Sequence, residues 1–261
     1  MPFRNKENLK YYSFDLFEPL NIVHGIFTRF GGVSQYPWKS LNVGGSNADS
    51  RENVLENKRR LFSVLGLPLE SGFDVWQVHS NKVICVDSPR PLEEDPLKAD
   101  GIITNQVGMT LFMNFADCVP ILLFDPIKRI IGIVHAGRLG TINKICLNAV
   151  QAFQEIYNSS PKDILAGIGP SIGPDHYWIN SKVIEDVKVA FGQDASKLLV
   201  GHNGKIALDL WKANRVLLQQ AGVQKIQTAG VCTACHVSDW FSHRAENGNT
   251  GRFGAIISLR P

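Results

Sequence analysis

Short apolar runs bounded by turn residues dominate the chain, and helical spacing appears in only a few windows. Ile22 to Thr28 predicts a strand that runs into a glycine turn at Gly31-Gly32. Six further runs crowd the middle of the chain: Asp74 to Val78, Val83 to Val86, Gly101 to Thr104, Thr110 to Asn114, Val119 to Phe124 and Ile130 to His135. Ile164 to Ile168, Ile226 to Val231 and Phe253 to Leu259 complete the expected strands. Asp49 followed by Glu52 predicts a capping box, and the helix behind it carries Val54, Leu55, Phe62 and Leu65 on one side and stops at Gly66. Ile142, Ile145, Ala149, Phe153 and Ile156 recur at helical spacing, which predicts one helix over Thr141 to Tyr157. Two more helices are expected near Ser181 to Phe191 and Asp209 to Ala221. The pattern is mixed α and β, with strands too clustered for a simple doubly wound sheet.

Composition narrows the picture. At 261 residues the chain is long enough for a large core. The one connector-like stretch, Ser88 to Lys98, is too short to separate domains, so a single domain over 1–261 is expected. A net charge of +3 without basic clusters argues against nucleic acid as a partner. The first twenty residues hold no continuous apolar core, and the apolar runs elsewhere are too short to cross a bilayer. Five cysteines without an expected signal peptide point to reduced thiols and a cytoplasmic setting, in which an important cysteine is a ligand or a nucleophile.

Three polar residues stand where strands should end: His79, Cys118 and His135. Strand ends feeding loops are where α/β proteins place ligands and catalytic groups. Two imidazoles and a thiolate suit zinc, and three protein ligands leave a fourth position open for water, whose pKa the metal lowers. The long spacing of the trio is weak support, because a lone histidine or cysteine at a strand end is more often a packed core residue. His135-Ala-Gly-Arg-Leu-Gly-Thr141 joins a strand to a helix through two glycines, and its free amides with Thr141 would suit an anion as well as they suit a plain turn. Arg29, at the edge of the Thr28–Val33 glycine turn, and Arg244 and Arg252, in the polar loop before the last strand, are candidate anion contacts against an ordinary solvated role. Cys232-Thr-Ala-Cys235-His236 matches the short haem attachment pattern, but haem attachment of that type belongs outside the cytosol. As a zinc half-site it lacks a second Cys-x-x-Cys, so these cysteines are expected to pack or to line a pocket wall.

Taken in order, Thr28-Arg-Phe-Gly-Gly-Val-Ser34, Ser40-Leu-Asn-Val-Gly44, Gln77-Val-His-Ser80, Ala99-Asp-Gly101, Ala116-Asp-Cys-Val-Pro-Ile-Leu122, His135-Ala-Gly137, Gly167-Ile-Gly-Pro170, Cys232-Thr233 and Thr250-Gly-Arg252 resemble the YfiH-type family, also labelled polyphenol oxidase or laccase-domain, which includes human FAMIN. The resemblance implies layered β-sheets flanked by helices and a monomer. It implies zinc on His79, Cys118 and His135, the same three residues serving catalysis. Substrate contacts are expected from Arg29, Asn42, Asp117 and Arg244, with Asp117 a candidate proton carrier. The implied activities are phosphorolysis of adenosine, inosine, guanosine and methylthioadenosine, and hydrolytic deamination of adenosine. Two departures touch the expected pocket: Arg138-Leu139 stands where members carry tryptophan and then a basic residue, and Ala245 replaces the second of two arginines.

The laccase label fits the composition poorly. A multicopper oxidase needs many histidines, commonly in His-x-His pairs; seven histidines without one such pair disfavour copper. Two other readings stay open. Cys118 could be the nucleophile of an amidase-like hydrolase with a histidine base, which metal content distinguishes. A non-catalytic zinc-stabilised binding module would need a fourth protein ligand such as Cys232 or His243.

Overall fold

The computed structural model describes residues 2–45, 49–202 and 204–260, the side chain of His202 excepted. Two six-stranded sheets lie face to face, with helices covering both outer faces. Alternation along each strand assigns side chains to layers. On Val119–Asp125, Val119, Ile121 and Leu123 face helices, while Leu122 and Phe124 face the other sheet. On Phe253–Leu259, Ala255 and Ile257 enter the space between the sheets, and Ile256 meets the helix Arg51–Val64. This double use of both faces explains why the middle strands are continuous apolar runs rather than alternating ones.

The first sheet runs in the order Phe3–Lys6, Leu9–Tyr12, Ile22–Phe27, Phe253–Leu259, Thr110–Phe115, Gly72–Phe73. The second runs Lys225–Thr228, Leu165–Ile168, Val119–Asp125, Ile130–Ala136, Gly101–Thr104, Val83–Cys85. Ile145–Tyr157 and Leu210–Gln220 pack on its outer face with Ser181–Phe191. The chain leaves the first sheet after Phe115 and enters the second at Val119. The crossing segment is Ala116-Asp117-Cys118, and Asp117 adopts φ 80° to make it. Cys118 is thereby placed at the shared end of both sheets.

Several expectations change. The capping box gives way to Ser50, whose Oγ accepts from the Asn53 amide at 3.1 Å. Asp49 instead accepts from Ser34, Asn42, Ser50 and Asn53, tying the preceding loop together. The strand expected over Asp74 to Val78 does not form: a two-residue strand, Gly72–Phe73, stands just before it, and within it only an isolated bridge joins Trp76 to Lys98. Here Gln77 replaces backbone pairing: its side chain donates to the Asn114 carbonyl (2.8 Å) and accepts from the Asn114 amide (3.1 Å). The single helix Thr141 to Tyr157 is two, Arg138–Ile142 and Ile145–Tyr157, parted by Lys144 at φ 64°. Asn81 donates to the Asn143 carbonyl (3.0 Å) and so engages a group that an unbroken helix would use itself. Ile156 falls outside the buried stripe and is 56% exposed. The pattern also missed the N-terminal hairpin and a small sheet of Trp178–Ile179, Lys205–Leu208 and Leu199–His202. These strands have at most four residues, too few to show a period.

Candidate active site

His79, Cys118 and His135 converge, with one ligand atom from each lying within 4.8 Å of the others. Strand pairing sets two of them side by side: Pro120 opposes His135 and Val119 opposes Ala136, so Cys118 falls beside the His135-Ala-Gly turn. His79 arrives from a loop in which it takes φ 60°. Its ring meets that of His135 edge-on at 4.9 Å.

Asp100 holds this arrangement. Its Oδ1 accepts from the His79 amide (3.0 Å) and from His135 Nδ1 (2.8 Å). Its Oδ2 accepts from the amide and hydroxyl of Ser80, both at 2.7 Å, and from the Val78 amide at 3.3 Å. One buried carboxylate thus shapes the His79 loop and orients the His135 ring so that Nε2 faces Cys118. A histidine ligand whose other nitrogen donates to a carboxylate is the usual support of a metal centre. Burial alone would raise the Asp100 carboxyl, but the bonds from His135 and Ser80 hold it below the ordinary carboxylate range. Burial would likewise raise the Cys118 thiol; the charge and hydrogen bond of His135, with help from His79, bring it down to about 6. His135 moves the opposite way, to about 9: burial opposes its charge, but Cys118 and Asp100 stabilise it. The surroundings of Cys118 thus favour its thiolate, the form that binds metal or attacks carbon.

The donor set fits zinc. Thiolate and imidazole are its preferred ligands, and three of them leave a coordination position facing outward. Gly137 gives the cluster room: a Cβ there would lie 2.9 Å from Cys118 Sγ and 3.1 Å from His79 Cδ2.

Above the trio opens a cleft of about 450 Å³. Phe115, Leu139 and Tyr177 give it apolar surface, and Arg138, Arg244, Arg252 and His243 line it as well. Arg244 lies over the Tyr177 ring (5.0 Å) and donates to the His176 and Trp178 carbonyls. Arg252 donates to the Thr250 and Gly251 carbonyls, and burial lowers its pKa.

The expected substrate contacts divide. Arg244 and Asp117 line the cleft, but both carboxylate oxygens of Asp117 are engaged, by Thr233 Oγ1 at 2.7 Å and the Arg244 amide at 2.6 Å. That makes Asp117 a brace for the cleft wall, a poor arrangement for carrying protons. Arg29 is outside the lining: its guanidinium donates to the carbonyls of Lys39, Val237 and Trp240, pairs with Glu246 and stacks on Phe241. Asn42 is also outside; it is fully buried and positions the Arg252 amide through its Oδ1 (2.8 Å). Thr141 points inward to Asn214, so the short helix at Gly137 offers no hydroxyl to an anion. The Gly31-Gly32 turn answers to close packing, since a Cβ on Gly31 would sit 2.4 Å from the Asn8 carbonyl oxygen. Cys232 and Cys235 line no part of this cleft and cluster instead with Asp175 and His176. Cys232 is therefore no fourth ligand to the trio.

Residues 23–260 match the family described as multi-copper polyphenol oxidoreductase laccase. The chain belongs to this family. A relative from Bacillus subtilis (strain 168), named purine nucleoside phosphorylase YlmD, is 34% identical over 249 residues, covering 92% of this chain and 89% of that protein. Purine nucleoside phosphorylase LACC1 of Homo sapiens is 32% identical and spans 91% of this chain and 56% of its own length. The crystal structure of YlmD from Geobacillus stearothermophilus superposes with a TM-score of 0.93 at 33% identity, covering 100% of this chain and 99% of that one. The layered α and β architecture is thus the family's own. The copper in the family description finds little support in this donor set: among the described residues, the two groups of close donors contribute at most two histidines each.

Proposed function

We propose that this protein is a zinc-dependent purine nucleoside phosphorylase that splits adenosine, inosine, guanosine and methylthioadenosine with phosphate. The products are the free base and ribose 1-phosphate or methylthioribose 1-phosphate. Hydrolytic deamination of adenosine is proposed as a second activity of the same cleft. The observation that carries this reading is a three-donor cluster at the base of a cleft with three arginines in its lining. The names borne by its relatives, purine nucleoside phosphorylase, support the phosphorolysis in it.

His79, Cys118 and His135 would hold the zinc, which when bound supplies a Lewis acid in the cleft. The remaining work belongs to the chain. Arg138, Arg244 and Arg252 bind phosphate and set it against C1′ of the sugar, an entropic and electrostatic contribution. Phe115 and Tyr177 offer the purine apolar and aromatic surface. Asp100 fixes the His135 tautomer, and Asp117 anchors the loop that carries Arg244.

The test compares wild type with Cys118→Ala for zinc per chain and for products from adenosine, with and without phosphate. The reading expects loss of both metal and product in the variant. Active, metal-free wild type would remove it. One arrangement favours a second reading: Cys118, His135 and Asp100 are linked in the order nucleophile, base and orienting carboxylate. Under that reading wild type lacks zinc, Cys118 is alkylated rapidly by iodoacetamide, and amides rather than nucleosides are turned over.

A further inference from the structure

The cysteines left unexplained by the cleft lie in a second donor cluster. Asp175, His176, Cys232 and Cys235 each place one ligand atom within 4.8 Å of the others. We propose that these four residues form a second, structural metal site for zinc that clamps one wall of the cleft.

The geometry matches the ion. Tetrahedral zinc with bonds of about 2.3 Å to sulfur and about 2.0–2.2 Å to nitrogen and oxygen sets neighbouring donors roughly 3.3–3.8 Å apart. His176 Nδ1 lies 3.8 Å from Cys232 Sγ, 3.5 Å from Cys235 Sγ and 3.2 Å from Asp175 Oδ2. The 3.2 Å pair falls just short of that range, and Cys235 Sγ and Asp175 Oδ2 are closer still, at 2.7 Å. Both belong to exposed residues free to open by the required amount. The Gly173 amide donates to Cys232 Sγ at 3.2 Å, a contact that supports a thiolate and orients it.

The two loops are already joined. Ser171 and Cys232 form a parallel bridge, the Ser171 amide donates to the Val231 carbonyl (3.1 Å), and the Thr233 amide donates to Ser171 (3.0 Å). Four protein donors close the coordination sphere, which separates a structural site from the open trio in the cleft. The cysteine pair thus finds its partners in Asp175-His176, about sixty residues earlier, rather than in a second Cys-x-x-Cys.

The clamp bears on the active cleft through its neighbours. Thr233 Oγ1 holds Asp117, and the Ile172 amide donates to the Asp117 carbonyl at 3.0 Å. The His176 carbonyl accepts from Arg244, and Tyr177 lines the cleft. Zinc at this site would fix the segment from Ser171 to Tyr177 against the segment carrying Cys232 to Cys235.

The test counts metal at each site separately. Wild type, Cys118→Ser, Cys235→Ser and the double variant are equilibrated with zinc, freed of excess and analysed for metal per chain. The proposal expects two equivalents in wild type, one in each single variant and none in the double. Cobalt(II) added to Cys118→Ser should give the intense sulfur-to-metal charge-transfer absorption of a two-thiolate tetrahedral site, and Asp175→Asn should weaken its cobalt affinity. A second route that spares the Cys118 fold is a cobalt titration of wild type, expected to show two components, one of them absent from Cys235→Ser. Cys235→Ser retaining the wild-type metal count would overturn the proposal, as would Cys118→Ser that takes up no cobalt, or a Cys232–Cys235 disulfide in the purified protein. Metal at this site is read independently of nucleoside turnover, so its failure leaves the reading of the cleft standing.

Discussion

Replacing Asp100 with asparagine tests whether one carboxylate organises the site. In wild type Oδ1 serves His79 and His135 while Oδ2 serves Val78 and Ser80. An amide offers one acceptor oxygen and one NH₂. If the oxygen keeps His79 and His135, the NH₂ meets the Ser80 amide, which cannot reverse its polarity. If the amide flips, the NH₂ meets the His79 amide and forces the opposite His135 tautomer, placing a proton on the nitrogen that should face Cys118. Either way a part-buried backbone donor loses its protein partner, at about 1–2 kcal/mol, and charge-assisted bonds become neutral ones. A total of about 2–4 kcal/mol lowers Tm by roughly 5–12 °C in a chain of this size. Loss of the orienting carboxylate should weaken metal binding about 10–100-fold. Differential scanning calorimetry gives the first number, and competition with a chromophoric chelator gives the second. An Asp100→Asn variant with wild-type Tm and wild-type zinc affinity would refute the reasoning, because no orientation of the amide satisfies both sets of donors.

Three further outcomes follow from the same geometry. Gly137→Ala should reduce zinc affinity by about tenfold or more, since its Cβ would crowd Cys118 and His79. Its φ of −70° suits alanine, so Tm should change little, and a loss of folding without loss of metal would contradict this. Arg138→Ala should raise the KM for phosphate well above wild type with a smaller effect on nucleoside KM, read from initial rates at varied phosphate. His24 sets an acid limit on stability. Burial depresses its pKa from 6.5 to about 4, and its Nε2 accepts from the Phe14 amide, which an imidazolium cannot do. Between these values the unfolded chain binds a proton that the folded one refuses, so stability falls as pH drops from about 6.5 to about 4, by at most about 3 kcal/mol. His24→Gln should flatten that limb in denaturant titrations, and an unchanged slope would count against it.

The convergence of His79, Cys118 and His135 was suggested by the runs that border them, although the run before His79 forms no strand. Ala99-Asp-Gly101 held the buried carboxylate that orients them, but nothing in the pattern separated Asp100 from any other loop acid; its role exists only once Ser80 and His135 are folded around it. Arg29 misled for the related reason that a cation beside a glycine turn suggests an anion, whereas here the carbonyls of three loop residues occupy it. Asn42 is similar: its polarity serves the loop and the Arg252 amide. The Cys232–Cys235 pair reads as pocket wall because the chain holds no second Cys-x-x-Cys; Asp175 and His176 come near it through contacts such as the Ser171–Cys232 bridge, which no local pattern announces. Local sequence reports elements well, and contacts between distant loops poorly.

The central claim is tested most directly by incubating zinc-replete wild type with inosine and following hypoxanthine release while phosphate is varied. The account predicts release that requires phosphate, saturates with it, yields ribose 1-phosphate in equal amount and disappears in Cys118→Ala. Hypoxanthine release independent of phosphate, or none from any purine nucleoside by the zinc-loaded protein, would contradict it.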